Sequence, residues 1–389
     1  VKYFLKKGGE KIKMESQKPH KHRLRDSERR ETIGYDGRNF KMKAWVLEDI
    51  GKIQYKEVSK PLPGEHEVLV EVKAAGICGS DIPRIYQTGA HRMPLILGHE
   101  FAGRVVQTGG STDEKWRDKR VGVFPLIPCR SCIACRRGQY ELCRNYSYLG
   151  SRQDGGFAEY VAVPESNLIE LPETVSYEEA AMLEPMAVAC HALRRVGASY
   201  QDTVAVCGLG TIGMLIVMLL LERNVKDLLV IGNKEFQKQM ILKLGIKEEQ
   251  FCDIRSENVD AWLDKKTGGT GVDVFFECVG KNETFSLAIE HGAPGGKVCL
   301  VGNPYSDMLL DKQVYWKILR NQLTVTGTWN SSFTREVTDD WHMAVYLLKE
   351  KKIVPSQLIS HRYKLEGLDR GFKIMGNRSE DHMKIMAVT

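Results

Sequence analysis

The sequence has no long hydrophobic run. Apolar residues make up 42% of its 389 positions. The longest apolar stretch, residues 214–221, is nevertheless far shorter than the roughly 18 residues that indicate a membrane span. The lysines near the N-terminus are not followed by an apolar segment, so no secretory signal is predicted. We therefore expect a cytoplasmic protein without a membrane partner, whose ten cysteines serve metal binding or packing rather than disulfides.

Excess positive charge is absent from most of the chain. Residues 1–40 contain 12 Lys/Arg and 6 Asp/Glu, which accounts for the whole net charge of +6, and the other 349 residues contain 44 of each. A balanced body argues against a nucleic-acid partner. The few apolar residues of segment 1–41 predict a disordered basic tail, with a weak anchor for anionic surfaces as the functional alternative. The remaining length is enough for two domains.

The pattern of apolar segments changes along the chain. Short β-like segments broken by Gly and Pro occupy residues 42–163, among them 103–108, 119–124 and 157–163. From about residue 190, strand-like and helix-like segments alternate: strands at 203–207, 228–231, 272–278 and 297–301, and helices at 214–223 and 234–244. Such alternation predicts an α/β fold with a parallel sheet wound with helices.

A glycine-rich turn links the first two of these alternating elements. Gly208, Gly210 and Gly213 directly follow a strand and open a helix, with Thr211 and Ile212 between them. Glycine permits the tight turn and the close approach of backbone to a pyrophosphate, and the helix N-terminus attracts the anion. The segment therefore predicts a dinucleotide site, against the alternative of a tight turn without a ligand.

The acid expected for such a site is missing. About 20 residues after the glycine turn, an Asp or Glu normally binds the ribose 2′-hydroxyl, but this chain has Gly232, Asn233 and Lys234. No carboxylate there would repel a 2′-phosphate, while the amide and the ammonium group could bind one. The sequence thus favours NADP over NAD. Glu235 follows at once and keeps NAD as the alternative.

Four cysteines form a compact motif, C-x2-C-x2-C-x7-C, at Cys129, Cys132, Cys135 and Cys143. Four thiolates at such spacing suit a tetrahedral Zn²⁺ that holds an irregular loop together. An iron–sulfur cluster is the alternative, although no Cys-Pro ending or second motif supports it. The remaining cysteines in apolar or helical contexts are predicted to pack in the core: Cys190, Cys207, Cys252, Cys278 and Cys299.

A second set of metal-binding residue types is more widely spaced. Cys78, His99, Glu100 and Glu184 are zinc-ligand types that together leave a position open for substrate. Spacing alone leaves the ordinary alternatives open, namely a buried thiol, a core histidine and helix-start acids.

These motifs resemble those of the zinc-containing medium-chain alcohol and polyol dehydrogenases, and most of all the galactitol-1-phosphate 5-dehydrogenases among them. The matching stretches are AAGICGSDIPRIYQTGAH, LGHEFAG, PCRSCIACRRGQYELC, YLGSRQDGGFAEYVAVP, LEPMAVACHA, GLGTIGML and ILRNQLTVTGTW. The resemblance covers residues 42–389. It implies a GroES-like β-rich catalytic domain over 42–187 and 330–389, a Rossmann dinucleotide-binding domain over 188–329, and a homodimer or homotetramer, for which the β-like segment 323–328 is a candidate pairing edge.

The resemblance also implies roles for the metal-binding residues. Cys78, His99 and Glu184 would hold a catalytic zinc, with Glu100 as an exchangeable ligand, and the four-cysteine motif would hold a structural zinc. Ser80 would relay the substrate proton and Asp81 would support the histidine ligand. Pro83 departs from the family, because many members have a proton-relaying histidine near this position.

The expected reaction is interconversion of a secondary alcohol of a polyol and a ketose, with hydride transfer to NAD(P). Cys278 and Val301, at the ends of two later strands, complete the predicted cofactor contacts. Arg84, His91 and Arg152 are candidates for binding a substrate phosphate, beside Arg92, and Trp329 for lining the polyol end. The alternatives are a dehydrogenase of an unphosphorylated polyol, a butanediol or threonine, and a non-catalytic NADP-binding sensor on the same fold.

Overall fold

The structure, a computed structural model, describes residues 40–389. The predicted disordered tail, residues 1–41, lies outside the described residues except for Phe40 and Lys41. Lys41 is the first residue of a strand, so the folded body begins one residue earlier than expected. Within residues 40–389, no helix combines the length and the apolar character needed to cross a membrane.

The first part of the described chain is rich in short strands. Their bounds are β1 Lys41–Asp49, β2 Lys52–Ser59, β3 Glu67–Ile77, β4 Leu95–Ile96, β5 Glu100–Thr108, β6 Arg120–Val123, β7 Leu126–Ile127, β8 Ser147–Tyr148, β9 Tyr160–Pro164 and β10 Leu168–Glu170. Strand β3 pairs antiparallel with both β5 and β9, β5 pairs antiparallel with β6, and β6 pairs antiparallel with β10. A smaller sheet has the order β2-β1-β4, and β7 pairs with β8.

The first three helices of this part are short, and the fourth is longer. Their bounds are α1 Asp81–Pro83, α2 Ile133–Arg136, α3 Tyr177–Ala181 and α4 Leu183–Val196, with a π-helical turn at Arg84–Thr88. Ser176 and Glu179 form a reciprocal capping box that starts α3. Gly197, in the left-handed conformation, ends α4. The 3-10 turns of the described chain are Glu114–Trp116, Tyr140–Leu142, Glu165–Asn167, Glu248–Gln250, Pro355–Leu358 and Leu365–Gly367.

The middle of the chain forms a wound parallel sheet. Its strands are β11 Val204–Cys207, β12 Leu228–Gly232, β13 Phe251–Asp253, β14 Val272–Glu277, β15 Gly292–Leu300 and β16 Thr324–Gly327. They alternate with α5 Thr211–Glu222, α6 Glu235–Lys243, α7 Val259–Thr267, α8 Asn282–Glu290 and α9 Lys312–Arg320. The strand order is β13-β12-β11-β14-β15-β16 and every pairing is parallel. This is the doubly wound order in which a nucleotide binds beyond the carboxyl ends of the central strands.

The chain then returns to the first sheet. It does so through α10 Asp340–Lys349, β17 Ile359–Tyr363, α11 Leu368–Asn377 and β18 Lys384–Val388. Strand β18 lies between β17 and β3, which gives the larger sheet the order β10-β6-β5-β3-β18-β17. The C-terminal strand therefore runs beside β3, whose last residue directly precedes Cys78.

The core is continuous across the α4 and α5 region. Val204 and Val206 of β11 pack with α4 and α5 in one cluster, while Ala205 and Cys207 face a second cluster on the other side of the sheet. This alternation is the period of two that a strand covered on both faces requires. A third cluster fills the first sheet around Phe101, Phe157 and Phe372.

The predicted α/β fold class is confirmed, and the wound-sheet segments fall where the alternation placed them. One predicted strand, 157–163, is shorter in the structure, since β9 begins at Tyr160. Phe157 instead accepts a hydrogen bond from the backbone of Trp45 and Ala158 makes an isolated bridge to Ala44, which ties this segment to β1. The domain limits at 187/188 and 329/330 stay a prediction, and α4 runs across the first of them.

Candidate active site and cofactor cleft

The turn after β3 is organised by a buried carboxylate. Asp81 is fully buried and accepts a hydrogen bond from the backbone N–H of Cys78 at 3.0 Å. The Ser80 hydroxyl donates to Cys78 Sγ at 3.2 Å and accepts from Arg84 Nη1 at 2.9 Å. The thiol, the hydroxyl and the guanidinium therefore form one chain of contacts at the start of α1.

His99 and Glu100 reach the same place from β5. Gly98 precedes them with φ +93°, and a Cβ there would lie 2.6 Å from the ring of Phe157, so only glycine fits. His99 Nδ1 lies 3.4 Å from Asp81 Oδ1, a distance suited to ion pairing, although the geometry is not that of a hydrogen bond. Burial opposes a charge on the imidazole, but the neighbouring Asp81 and Cys78 outweigh it and raise the pKa of His99.

Glu100 is paired with a lysine that sequence reasoning missed. Lys384 of β18 places Nζ 2.5 Å from Glu100 Oε2 and 3.2 Å from the carbonyl of Ile77. Both side chains are almost completely buried. Gly76 makes room for the pair, since a Cβ there would lie 2.5 Å from Glu100 Oε2. Lys384 therefore neutralises a carboxylate that would otherwise be buried with an unpaired charge.

Cys78, His99 and Glu100 converge as one ligand set. One ligand atom of each lies within 4.8 Å of the others, as a single metal ion would require. Glu184 is not part of this trio, although the sequence placed it there. Its Oε1 accepts a hydrogen bond from the Tyr148 hydroxyl at 3.2 Å, and burial raises the pKa of Glu184 to about 7 against the charge of His99. Tyr148 was also missed by sequence reasoning, and its ring lies 5.8 Å from that of His99.

The four-cysteine motif folds into a compact lobe around α2. Cys129 Sγ lies 4.0 Å from Cys135 Sγ, and Cys132 Sγ lies 4.0 Å from Cys143 Sγ. A tetrahedral zinc with Zn–S bonds of about 2.3 Å has sulfur–sulfur edges of about 3.8 Å, so the four thiols fit it closely. A hydrogen bond from Ser131 lowers the pKa of Cys129 to about 5, which favours the thiolate that a metal needs.

The three glycines of the nucleotide turn differ in whether the protein's own structure requires glycine. Gly208 has φ +97°, and a Cβ on it would lie 2.5 Å from Val279. A Cβ on Gly213 would lie 1.9 Å from the carbonyl oxygen of Gly208, inside the turn itself. Gly210, the N-cap of α5, has no heavy atom within 4 Å of such a Cβ, so the protein's own packing does not require glycine there.

The facing loop after β14 is held by a buried carboxylate. Glu277 accepts hydrogen bonds of 2.8 Å from the backbone of Val279, the backbone of Gly280 and the hydroxyl of Thr284. Its backbone carbonyl also accepts from Val301 at 2.8 Å. These bonds place Cys278 and Val301 beside the glycine turn, at the carboxyl ends of adjacent strands. The predicted cofactor residues are thus brought together.

The end of β12 confirms that no acid follows directly. Gly232 is buried, Asn233 is exposed and Lys234 caps α6. Glu235, the acid that kept NAD in question, points along its own helix, where Oε1 accepts from Gln239 at 2.7 Å. Arg255, from the neighbouring strand's end, lies 3.7 Å from the other oxygen of Glu235.

Of the candidate substrate cations, Arg84 contacts Ser80 directly. Desolvation, then the positive charges of Arg152 and Arg84, lower the pKa of His91. The Arg152 guanidinium covers the Tyr146 ring at 4.6 Å, and its Nε is buried without a hydrogen-bond partner among the described residues. Trp329 is exposed, and its neighbour Asn330 lies 3.5 Å from the Tyr148 hydroxyl through Oδ1.

Comparison with known proteins agrees with this geometry. Residues 64–173 match the alcohol dehydrogenase GroES-like domain, and residues 211–350 match the zinc-binding dehydrogenase domain. Galactitol 1-phosphate 5-dehydrogenase of Escherichia coli is 32% identical over 327 residues, which cover 84% of this chain and 94% of the relative. The chain belongs to the zinc-dependent medium-chain alcohol and polyol dehydrogenases. The GroES-like and Rossmann-type architecture expected from the resemblance is confirmed with it.

Other members of this dehydrogenase family differ in substrate. L-idonate 5-dehydrogenase of Vitis vinifera is 33% identical over 330 residues, covering 83% of this chain and 87% of that protein. The crystal structure of a zinc-binding dehydrogenase from Sinorhizobium meliloti bound to NADP superposes with a TM-score of 0.82 at 29% identity, covering 90% of this chain and 100% of the other. The dehydrogenase therefore belongs to a family whose members act on different small-molecule substrates, polyols among them.

The glycine turn of this dehydrogenase gives a matched pair of substitutions. Gly213→Ala would place a methyl group 1.9 Å from a backbone oxygen, so we expect a lower melting temperature and no nucleotide binding. Gly210→Ala meets no protein atom, so we expect an unchanged fold but about tenfold weaker nucleotide binding, because the pyrophosphate needs close approach there. Thermal melts and nucleotide titration measure both. A Gly210→Ala protein that binds as tightly as the parent would contradict the close-approach role.

Proposed function

We propose that this chain is an NADP-dependent dehydrogenase that interconverts a secondary alcohol of a phosphorylated polyol, such as galactitol 1-phosphate, and the corresponding ketose. The observation that carries the proposal is the convergence of Cys78, His99 and Glu100 beside Ser80, whose hydroxyl contacts both the Cys78 thiol and the Arg84 guanidinium. The three ligand residues bind a metal that activates an alcohol, and Arg84, with His91 and Arg152 as further candidates, binds a phosphate on the same substrate.

Two zinc ions per chain fit the two donor sets. Cys129, Cys132, Cys135 and Cys143 would hold the structural ion, since four thiolates leave no open position. Cys78, His99 and Glu100, with Glu184 close by, would hold the catalytic ion. When bound, that zinc polarises the substrate hydroxyl as a Lewis acid, and the nicotinamide accepts the hydride.

The chain's own residues position the reacting groups and move the proton. Ser80 Oγ, between the Cys78 thiol and the Arg84 guanidinium, is the group placed to take part in proton transfer. The positive charge of Arg84 stabilises negative charge that develops on this oxygen. Since Pro83 stands where many relatives have a histidine, the side chain that contacts the Ser80 hydroxyl on the side away from Cys78 is Arg84, which is a donor only.

Three supporting contacts keep the ligand residues in place. Asp81 faces His99 Nδ1 and so holds the imidazole with its other nitrogen available. Lys384 holds Glu100 by a buried ion pair, which makes Glu100 a ligand able to exchange. Tyr148 donates to Glu184 and approaches Asn330, so that it connects the metal-binding end to the polyol end beside Trp329.

A phosphate is supported by the state of Arg152. Its Nε is a buried donor with no partner among the described residues, whereas buried donors are normally satisfied. Arg84 is three-quarters buried and already contacts Ser80 and Asp81. A substrate phosphate would satisfy the orphaned Nε with a charge-assisted hydrogen bond. An unphosphorylated polyol or butanediol offers it only a neutral hydroxyl, which is a weaker acceptor, so the phosphate is the better match.

NADP is supported by the end of β12. Asn233 and Lys234 directly follow this strand, where the ribose is expected, and the next acid along the chain, Glu235, is bonded to Gln239. The related dehydrogenase of Sinorhizobium meliloti was crystallised with NADP. A non-catalytic NADP sensor would need none of the ordered metal-ligand contacts around Asp81. The cytoplasmic location expected from the sequence remains a prediction.

A homodimer is supported by the open edge of the parallel sheet. Strand β16 pairs with β15 on one side only, and among residues 40–389 no other strand pairs with its other side. Beside it, Tyr315, Trp316, Leu319 and Val325 are exposed by 51%, 49%, 55% and 37%. Such an apolar surface next to an unpaired edge suits a second copy related by a two-fold axis.

The substrate and cofactor are tested together by initial rates. We expect reduction of NADP with galactitol 1-phosphate to exceed both reduction of NADP with galactitol and reduction of NAD with either alcohol by about tenfold or more. Turnover should also stop when a chelator removes zinc and return when zinc is added. Equal rates on the free and phosphorylated polyols would contradict the phosphate site, and nucleotide binding without any zinc-dependent turnover would favour the sensor.

The candidate phosphate-binding arginines are tested by replacing them one at a time. We expect Arg152→Met to raise KM for the phosphorylated polyol by about tenfold, because a charge-assisted hydrogen bond to an anion is lost. Arg84→Met should raise KM and also lower kcat, since Arg84 contacts Ser80 as well. Arg370→Met, on the exposed face of α11, is the control. An unchanged KM in Arg152→Met would remove that residue from the phosphate site.

The dimer is tested by sedimentation velocity. Charges at the centre of an apolar contact oppose association, so Trp316→Glu combined with Leu319→Glu should shift the protein to a monomer without loss of fold. Tyr200→Glu, a change at a 63% exposed tyrosine outside this surface, should leave the dimer intact. A parent protein that sediments as a monomer at micromolar concentration would refute the assembly.

A further inference from the structure

Gly232, the last residue of β12, is glycine for reasons of space and not of backbone conformation. Its φ does not lie in the left-handed region, so any residue could adopt the same backbone there. A Cβ on Gly232, however, would lie 2.9 Å from Leu209 Cδ1 and 3.0 Å from Phe251 Cε2. Carbon atoms in folded proteins pack at about 3.5–4.0 Å, so a side chain at position 232 needs its neighbours to move.

Leu209 is the nearer of the two obstacles and is buried, and it makes the contact through the end of its side chain. It is only 1% exposed and belongs to the same apolar cluster as Phe251, Val206 and Val230. It is also the residue between Gly208 and Gly210, in the middle of the nucleotide turn. One side chain therefore links the pyrophosphate-binding turn to the point where β12 ends and the ribose is recognised.

The acids near this point are already engaged. Asp253 lies opposite Gly232 in the register of β13 and β12 and is bound by Arg255, with Nε 2.8 Å from Oδ1 and Nη2 2.5 Å from Oδ2. Glu235 bonds to Gln239 at 2.7 Å and also faces Arg255. Arg255 and Lys234 therefore balance the charges of these two acids, so no uncompensated carboxylate remains at the end of β12.

We propose that Leu209 is a specificity-determining residue, which excludes the ribose-binding carboxylate by occupying the volume that a side chain at position 232 would need. The assignment rests on the proposed NADP preference. Leu209 acts by packing and touches Gly232 rather than the 2′-phosphate. An acid introduced at position 232 alone meets Leu209, whereas the same acid together with a smaller residue at 209 finds room. The two positions therefore determine the cofactor as a pair.

The test is a double-mutant cycle on the full chain, read by binding and by stability. The variants are Gly232→Asp, Leu209→Ala and the two combined, and the measurements are Kd for NAD and for NADP by calorimetry, with a thermal melt of the nucleotide-free protein. We expect Gly232→Asp alone to melt lower and to bind both nucleotides more weakly. In the combined variant the ratio of NAD to NADP affinity should rise by about tenfold or more above that of the parent. Its melting temperature should exceed the value expected if the two single effects added.

A second cycle with Gly232→Ala and Leu209→Ala separates space from charge and keeps the test informative if the aspartate variant does not fold. Gly232→Ala should lower the melting temperature when it is made in the parent protein. The same substitution made in the Leu209→Ala protein should lower the melting temperature less, or not at all. Additive melting temperatures in this cycle would overturn the proposal, as would a Gly232→Asp single variant that binds NAD as tightly as the double variant.

The two proposals fail in different ways. A parent protein that binds NAD more tightly than NADP refutes the NADP preference and, with it, the role of Leu209 in cofactor choice. In that case, non-additive effects of the substitutions at positions 209 and 232 on the melting temperature would show only that the two residues pack against each other. A parent that prefers NADP, with no coupling between the two positions, refutes the role of Leu209 and leaves the NADP preference standing.

Discussion

The active site depends on one constraint, which is that ionisable groups taken out of water must be paired. Asp81, Glu100 and Lys384 are each at most 2% exposed, and His99 is 4% exposed. Burying a single unpaired charge costs several kcal/mol. Asp81 is therefore met by His99 and Arg84, and Glu100 by Lys384. The glycine at position 76 follows from the same constraint, since a Cβ there would meet Glu100 Oε2 and the Lys384 side chain.

This network explains which parts of the site the sequence could predict. Cys78, Ser80 and Asp81 lie within one turn, and their mutual contacts are local, so the spacing of the motif already contains the geometry. The same holds for the four cysteines between 129 and 143. In each case a short segment can form its site only in one way, and the residue types indicate the chemistry.

The missed residues depend on contacts between distant segments. Lys384 lies 284 positions from Glu100 along the chain, and nothing in its own strand, KIMAV, distinguishes it from a surface lysine. Tyr148 sits within a stretch that matches the family, but its hydrogen bond to Glu184 joins positions 36 apart. Glu184, which the resemblance implies as a metal ligand, lies outside the Cys78, His99 and Glu100 trio and accepts the Tyr148 hydrogen bond, and its role as a ligand stays a prediction. Such contacts follow from how β18 and α4 pack, which periodicity does not specify.

Glycine shows the same difference between pattern and cause. The sequence presents Gly208, Gly210, Gly213 and Gly232 as one residue type, and only the nucleotide-binding pattern tells them apart. In the structure, Gly208 is required by its backbone angle, Gly213 and Gly232 by neighbouring atoms, and Gly210 by neither. The first three preserve the fold, and the last leaves space that the fold itself does not use. A glycine that packing does not explain is the one that indicates a ligand.

The position of β18 has a consequence for the order in which the molecule is made. This strand inserts between β3 and β17, so the larger sheet stays open along β3 until residues 384–388 have left the ribosome. The wound parallel sheet, by contrast, has all its strands once residue 327 is made. Nascent chains fold from the N-terminal side. Cys78, His99 and Glu100 are therefore made long before Lys384, the residue that balances the charge of Glu100. The wound parallel sheet therefore has all its strands before Lys384, which pairs with Glu100, is made.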